Sequence, residues 1–127
     1  MVGMEPPHLH ELEGEIMDEA WQRGQCTVRD VLDALNARSE VQRAYTTVMT
    51  VMHRLVGKEL LRRERLGRHD VFSPAISREE YAYARAGADV DALISAYGDV
   101  ALTHFAREIG RLDPRRRELI RRLADGE

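Results

Sequence analysis

Between Gln42 and Lys58 the chain reads QRAYTTVMTVMHRLVGK, and at helical periodicity its two faces have opposite chemistry. Val48, Val51, Met52 and Leu55 fall at i, i+3, i+4 and i+7, one narrow apolar stripe that belongs in a core. Thr46, Thr47, Thr50 and Arg54 face the other way, with His53 at the edge. Threonine is a poor helix former because its branched side chain loses χ1 freedom, so helix stability does not account for three of them on one face. A hydroxyl and a methyl on a short stem suit the DNA major groove, where the hydroxyl bonds a base edge or phosphate and the methyl packs on a thymine C5 methyl. Arg43 and Arg54 would take flanking phosphates. An exposed helix that is merely rich in threonine is the alternative, and this stretch by itself leaves both open.

The elements around it narrow the choice. Pro6 and Pro7 stop any earlier helix; Leu9, Leu12, Ile16 and Ala20 then mark a first amphipathic helix ending near Arg23-Gly24, with Trp21 capping the core. Thr27 is the N-cap of a second helix, with Asp30 as capping-box partner and Val28, Val31, Leu32 and Leu35 as its apolar stripe. Helix, helix, short connection, helix is the order of a helix-turn-helix. After Lys58 come two short segments, Leu60 to Arg65 and His69 to Ser73, around Leu66-Gly67-Arg68, where glycine permits the positive φ of a hairpin turn. A hairpin placed there is a wing whose basic tip, Arg65 and Arg68, reaches the DNA backbone or minor groove. A plain surface hairpin is the alternative, and its position after a threonine-faced helix favours the wing.

Net charge decides little until it is divided. The whole chain carries −3, which argues against a nucleic-acid binder. Residues 1–42, however, hold nine acids against three arginines, and 71–127 are nearly balanced, with ten acids and nine bases. Residues 43–70 hold seven bases and three acids, so the positive field sits on the threonine-faced helix and the hairpin, and the local field counts for DNA.

Ser77-Arg78-Glu79-Glu80 is a second capping box and opens a long helix to Tyr97, broken at Gly98-Asp99. A further helix carries Leu102, Phe105, Ala106 and Ile109 on one face; Asp113-Pro114 then starts a last one with Leu119, Ile120 and Leu123. Three narrow amphipathic helices without a sheet do not bury their stripes alone, and a second copy of the chain would cover them. Tyr81, Leu93, Tyr97, Leu102, Phe105, Ile109, Leu119 and Leu123 are the expected dimerisation residues. The alternative is a tail folded back on the winged part.

Other chemistry finds little footing. His8, His10, His53, His69 and His104 match no metal-site spacing, and Cys26 is the only cysteine, so neither a metal, a cofactor nor a disulfide is expected. Cys26 is expected to be buried. No catalytic motif is present, so no enzyme and no catalytic residues are expected. The acids of the first helix, Glu11, Glu13, Glu15, Asp18 and Glu19, are expected to form a solvated face, as are Arg115, Arg116, Arg117, Arg121 and Arg122 of the last, salt-bridged to Glu118 and Asp125. The N-terminal MVGMEPPHLHELEGE has neither the basic nor the apolar region of a signal peptide, and no run approaches the roughly 18 apolar residues of a membrane span. A cytoplasmic protein without membrane contact of its own is expected.

IMDEAWQRG, TVRDVLDAL, AYTTVMTVMHRL, GRHDVFSP and SREEY together resemble the penicillinase-repressor family (BlaI/MecI type), winged-helix regulators of β-lactamase and methicillin-resistance genes, over about Leu12 to Tyr81. The resemblance implies a dimeric repressor with Thr46, Thr47 and Thr50 facing bases and Arg43, Arg54 and Arg68 on phosphates. It implies dyad operators with TACA and TGTA half-sites, and, in the β-lactam systems, a membrane zinc-protease sensor that cleaves the tail helices. The tail here lacks the Asn-Phe bond cut in the best-known members, the nearest bonds being Ala96-Tyr97 and His104-Phe105. It also lacks the cysteine pair of copper-responsive relatives.

The expected architecture is mainly α with a small β-hairpin wing: a winged helix-turn-helix over residues 8–75 and a helical dimerisation domain over 76–127. The expected function is repression of transcription by a homodimer covering a double-stranded dyad operator. A winged-helix protein-interaction module and a ligand- or metal-responsive regulator are the alternatives.

Overall fold

A computed structural model describes residues 6–126; residues 1–5, on which the signal-peptide expectation rests in part, lie outside the described residues. Among these, three helices come first, α1 (Glu11–Arg23), α2 (Val28–Ala37) and α3 (Tyr45–Gly57). A hairpin follows, β1 (Leu61–Leu66) and β2 (His69–Pro74), then α4 (Arg78–Tyr97), α5 (Asp99–Arg111) and α6 (Pro114–Ala124). The chain divides into two compact units at Arg85–Ala86, inside α4.

In the first unit the stripes of the helices meet as their spacing dictates. Ile16, Met17 and Ala20 from α1, Val31, Leu32 and Leu35 from α2, and Val48, Val51, Met52 and Leu55 from α3 are all buried in one cluster, closed below by Leu60, Leu61 and Phe72 at the foot of the hairpin. The strands pair antiparallel from Leu61↔Pro74 to Leu66↔His69. The turn is therefore the two residues Gly67-Arg68, one shorter than expected. Gly67 has φ 64°, the positive first position of a type II′ turn, which matches strand twist. Cys26, in the link between α1 and α2, exchanges both backbone hydrogen bonds with Phe72, at 2.9 and 2.7 Å. The wing is thus tied to the helical core by backbone as well as by side chains. Cys26 is itself buried, and burial, with the charge of Asp30 adding to it, pushes its thiol up to about 11.

The local stop and start signals operate where expected. Thr27 Oγ1 accepts the Asp30 N–H at 3.1 Å while Asp30 accepts the Thr27 N–H at 3.0 Å. Ser77 and Glu80 make the same reciprocal pair, and Asp113 caps α6 ahead of Pro114.

The acid-rich face of α1 is not uniformly solvated. Glu13 and Glu19 are buried, at 2 % and 5 % exposure, because cations from elsewhere in the fold reach them. Lys58 Nζ lies 2.5 Å from Glu13, while Arg23 and Arg38 hold the two oxygens of Glu19 at 2.7 and 3.1 Å. Burial pushes the Glu13 carboxyl up, but the Lys58 hydrogen bond and the His10 N–H outweigh it and leave it below its ordinary value. At Glu19 the Arg23 hydrogen bond dominates, burial opposes it, and Arg38 adds to the lowering. Carboxyls with depressed pKa contribute stability that is present above their unfolded value and lost as pH falls through the folded one. Melting temperature should therefore fall below about pH 4.5, the ordinary value, and fall less steeply in Glu13→Gln/Glu19→Gln. Identical acid limbs in circular-dichroism melts of the two proteins would remove these carboxyls as the cause.

The first turns of α4 belong to this unit. The Trp21 indole N–H donates to the Ile76 carbonyl at 2.9 Å, Tyr81 lies 5.8 Å from its ring, and the Tyr81 hydroxyl donates to Pro7 O. Tyr81, one of the expected dimerisation residues, thus makes these contacts within the first unit. In the second unit, Ala101 is the one buried side chain among the described residues. No described helix is long and apolar enough to cross a membrane.

Candidate nucleic-acid interface

Helix α3 presents its polar face outward because its apolar stripe is wholly taken by the core. Val48, Met52 and Leu55 have no exposed surface, while Thr46, Thr47, Thr50 and Arg54 are all exposed. Threonine hydroxyls and methyls thus stand in a row on one convex surface, the geometry a major groove admits.

The helix begins at Tyr45, directly after the connection, which side-chain hydrogen bonds hold in place. Asn36, near the end of α2, accepts the Arg43 N–H at 2.8 Å and donates to the Arg43 carbonyl at 3.1 Å. Gln42 donates to the carbonyls of Asn36 and Ser39. Arg43 therefore sits in the connection, half-buried, with its guanidinium 3.8 Å from Glu15.

A third face of α3 looks at the wing. Tyr45, Met49 and His53, at i, i+4 and i+8, line a groove of about 330 Å³ together with Thr27, Val28 and Arg29 of the α2 end and Arg65, Arg68, His69 and Asp70 of the hairpin. His53 packs edge-on to Phe72 at 5.7 Å and lies 3.4 Å from Arg63. Within the wing, Arg65 folds back on Gly67 O and Asp70, so Arg68 is the arginine at the turn itself. Sequence reasoning missed Arg29, although TVRDV at a helix start was a visible signal for an exposed cation next to the connection.

In the second unit the expected dimerisation residues lie on exposed apolar faces. Leu93, Tyr97, Leu102, Ile109, Leu119 and Leu123 are exposed, and Phe105 is half-buried. Leu93, Tyr97, Val100, Ala101, His104 and Phe105 enclose an apolar hollow of about 330 Å³ between α4 and α5. Of the α6 arginines, Arg121 meets Glu118 at 2.6 Å and Asp125 at 3.4 Å and Arg116 reaches Asp113 at 4.0 Å, so the expected salt-bridged face is formed by these two. Among the described residues no cluster of histidine, cysteine or carboxylates stands ready for a metal ion.

The sequence profile of the family described as penicillinase repressor matches residues 9–125. The transcriptional regulator BlaI of Mycobacterium tuberculosis is 41% identical over 107 residues, covering 80% of this chain and 74% of the relative, in strains CDC 1551 and H37Rv alike. The solution structure of the DNA-binding domain of the repressor BlaI superposes with a TM-score of 0.52 at 26% identity, over 60% of this chain and 90% of that one. The Bacillus licheniformis BlaI monomeric form, solved in complex with the blaP half-operator, gives 0.50 at 26% identity over the same shares.

Proposed function

The chain belongs to the penicillinase repressor family, and from that membership and its exposed α3 face we propose that it is a cytoplasmic transcriptional repressor, a homodimer that covers a dyad operator. The observation that carries the reading is the sorting of α3: its stripe is consumed by the core and its threonines are left free at the surface of a winged helix-turn-helix. The half-operator complex of the Bacillus licheniformis relative supports DNA as the occupant of that surface. Thr46, Thr47 and Thr50 read bases; Arg54 and the wing-tip Arg68 hold phosphates on either side, fixing register without reading sequence. Arg43 joins them by letting go of Glu15, a contact that is long and partly exposed and so holds it weakly. The unpartnered faces of α4, α5 and α6 pair with those of a second copy, which sets two recognition helices to read half-sites about one helical turn apart.

The test is fluorescence anisotropy of the purified protein on a duplex with inverted TACA and TGTA half-sites and on a scrambled duplex. A preference of about a thousandfold is expected; no binding to either duplex would favour a protein-interaction module instead, and a shift on adding zinc or copper would favour a metal-responsive one. Thr47→Ala or Thr50→Ala should cost about 1 to 3 kcal/mol on the operator and flatten the preference. Arg68→Ala should weaken both duplexes and lower the salt slope by about one unit. Equal losses on both duplexes for the threonine variants would remove their base-reading role.

A further inference from the structure

The groove between α3 and the wing holds a cation that the reading above leaves unused. Arg29, in the first turn of α2, lies with its guanidinium carbon 5.1 Å from the centroid of the Tyr45 ring. Tyr45 is the first residue of α3 and is 42% exposed, so it stands at the surface immediately ahead of Thr46 and Thr47. At that distance the π face of the ring attracts the guanidinium, and a planar group with five N–H donors keeps donors available to a second partner. The neighbouring Asp33 is 3.8 Å away and both side chains are mostly exposed, an ion pair that constrains Arg29 little. Across the groove stand Arg65, Arg68 and His69, and its one acid, Asp70, is already met by Arg63 and Arg65 at 3.9 and 3.5 Å. The groove is therefore a cationic rim along one side of the threonine face, with one of its arginines held ready by an aromatic ring.

We infer that Arg29 is a contact to a DNA backbone phosphate and that Tyr45 is its positioning residue. The inference rests on the proposed DNA-binding function. A phosphodiester at the rim would take two N–H donors from the edge of the guanidinium in the bidentate manner arginine favours. The ring below reduces the side-chain freedom that contact would otherwise consume. The contact is blind to sequence, so it sets affinity and the placement of α3 rather than base preference.

The experiment is anisotropy with the intact chain on the operator and the scrambled duplex across a series of salt concentrations, for Arg29→Gln, Tyr45→Leu, Tyr45→Phe and the double variant Arg29→Gln/Tyr45→Leu, each first checked by thermal melt. Arg29→Gln is expected to lower the salt slope by about one unit and to weaken both duplexes equally, by about eightfold at 0.1 M salt. Tyr45→Leu should weaken binding several-fold, Tyr45→Phe should restore it, and Tyr45→Leu should add nothing once Arg29 is Gln, because a positioning residue acts through its partner. An unchanged slope in Arg29→Gln would overturn the phosphate contact, and additive losses in the double variant would overturn the positioning role. Wild-type protein that binds neither duplex would instead overturn the DNA-binding function itself, so the two failures are distinguishable.

Discussion

Ile109→Asp is expected to turn the protein into a monomer and to weaken operator binding about a hundredfold or more. Ile109 shares one face of α5 with Leu102 and Phe105, and the second unit buries almost none of its apolar side chains internally. Amphipathic helices of this length gain their stability from packing the apolar face, not from helix propensity, which is why the proposed dimer is placed on the faces of α4, α5 and α6. A carboxylate in the middle of that cover would be buried without a partner, which a helix pair does not tolerate. Losing the proposed dimer would leave each winged unit to bind one half-site alone, and linking two sites is worth about 10² to 10⁴ in affinity. Light scattering gives the mass and anisotropy the affinity; Thr47→Ala, by contrast, should stay dimeric. An Ile109→Asp protein that is still dimeric would move the interface to another face.

The second large effect is on the fold of the winged unit. Phe72 has no exposed surface, packs against His53 of α3, and carries the backbone pair that joins the wing to Cys26. Truncating it to alanine removes the largest side chain at the point where α3, the hairpin and the α1–α2 link converge, and should cost about 3 to 5 kcal/mol. For a unit of this size that lowers the melting temperature by about 12 °C or more. DNA binding should be lost at temperatures where wild type still binds, and recovered on cooling. A melt within a few degrees of wild type would mean that the core closes over the cavity and that Phe72 does not anchor the wing.

These two sites differ in how far they can be read from the chain alone. The apolar stripes of α2, α3 and α5, the two capping boxes at Thr27 and Ser77, the Asp113-Pro114 start and the Gly67 turn are all relations between residues within a few positions of one another. Backbone geometry maps such spacings onto faces and ends of elements without reference to the rest of the fold. That is why the order of elements, the outward threonines and the helix-turn-helix with its hairpin followed from the sequence.

What crosses the chain could not be read that way. Glu13 looks like any solvated acid until Lys58, 45 residues on, arrives beside it, and Glu19 depends on Arg38 in the same manner. Arg43 is held ahead of the helix by Asn36, and Tyr81 opens a tail helix yet packs its ring near Trp21. The placement of Arg29 over the Tyr45 ring, and with it the cationic rim beside the threonines, exists only because α2 and α3 pack at one mutual placement. Local sequence therefore determined which faces this protein presents. Tertiary packing alone decided which charges those faces keep, because a buried carboxylate or a guanidinium over a ring is defined by the partner that the fold brings to it.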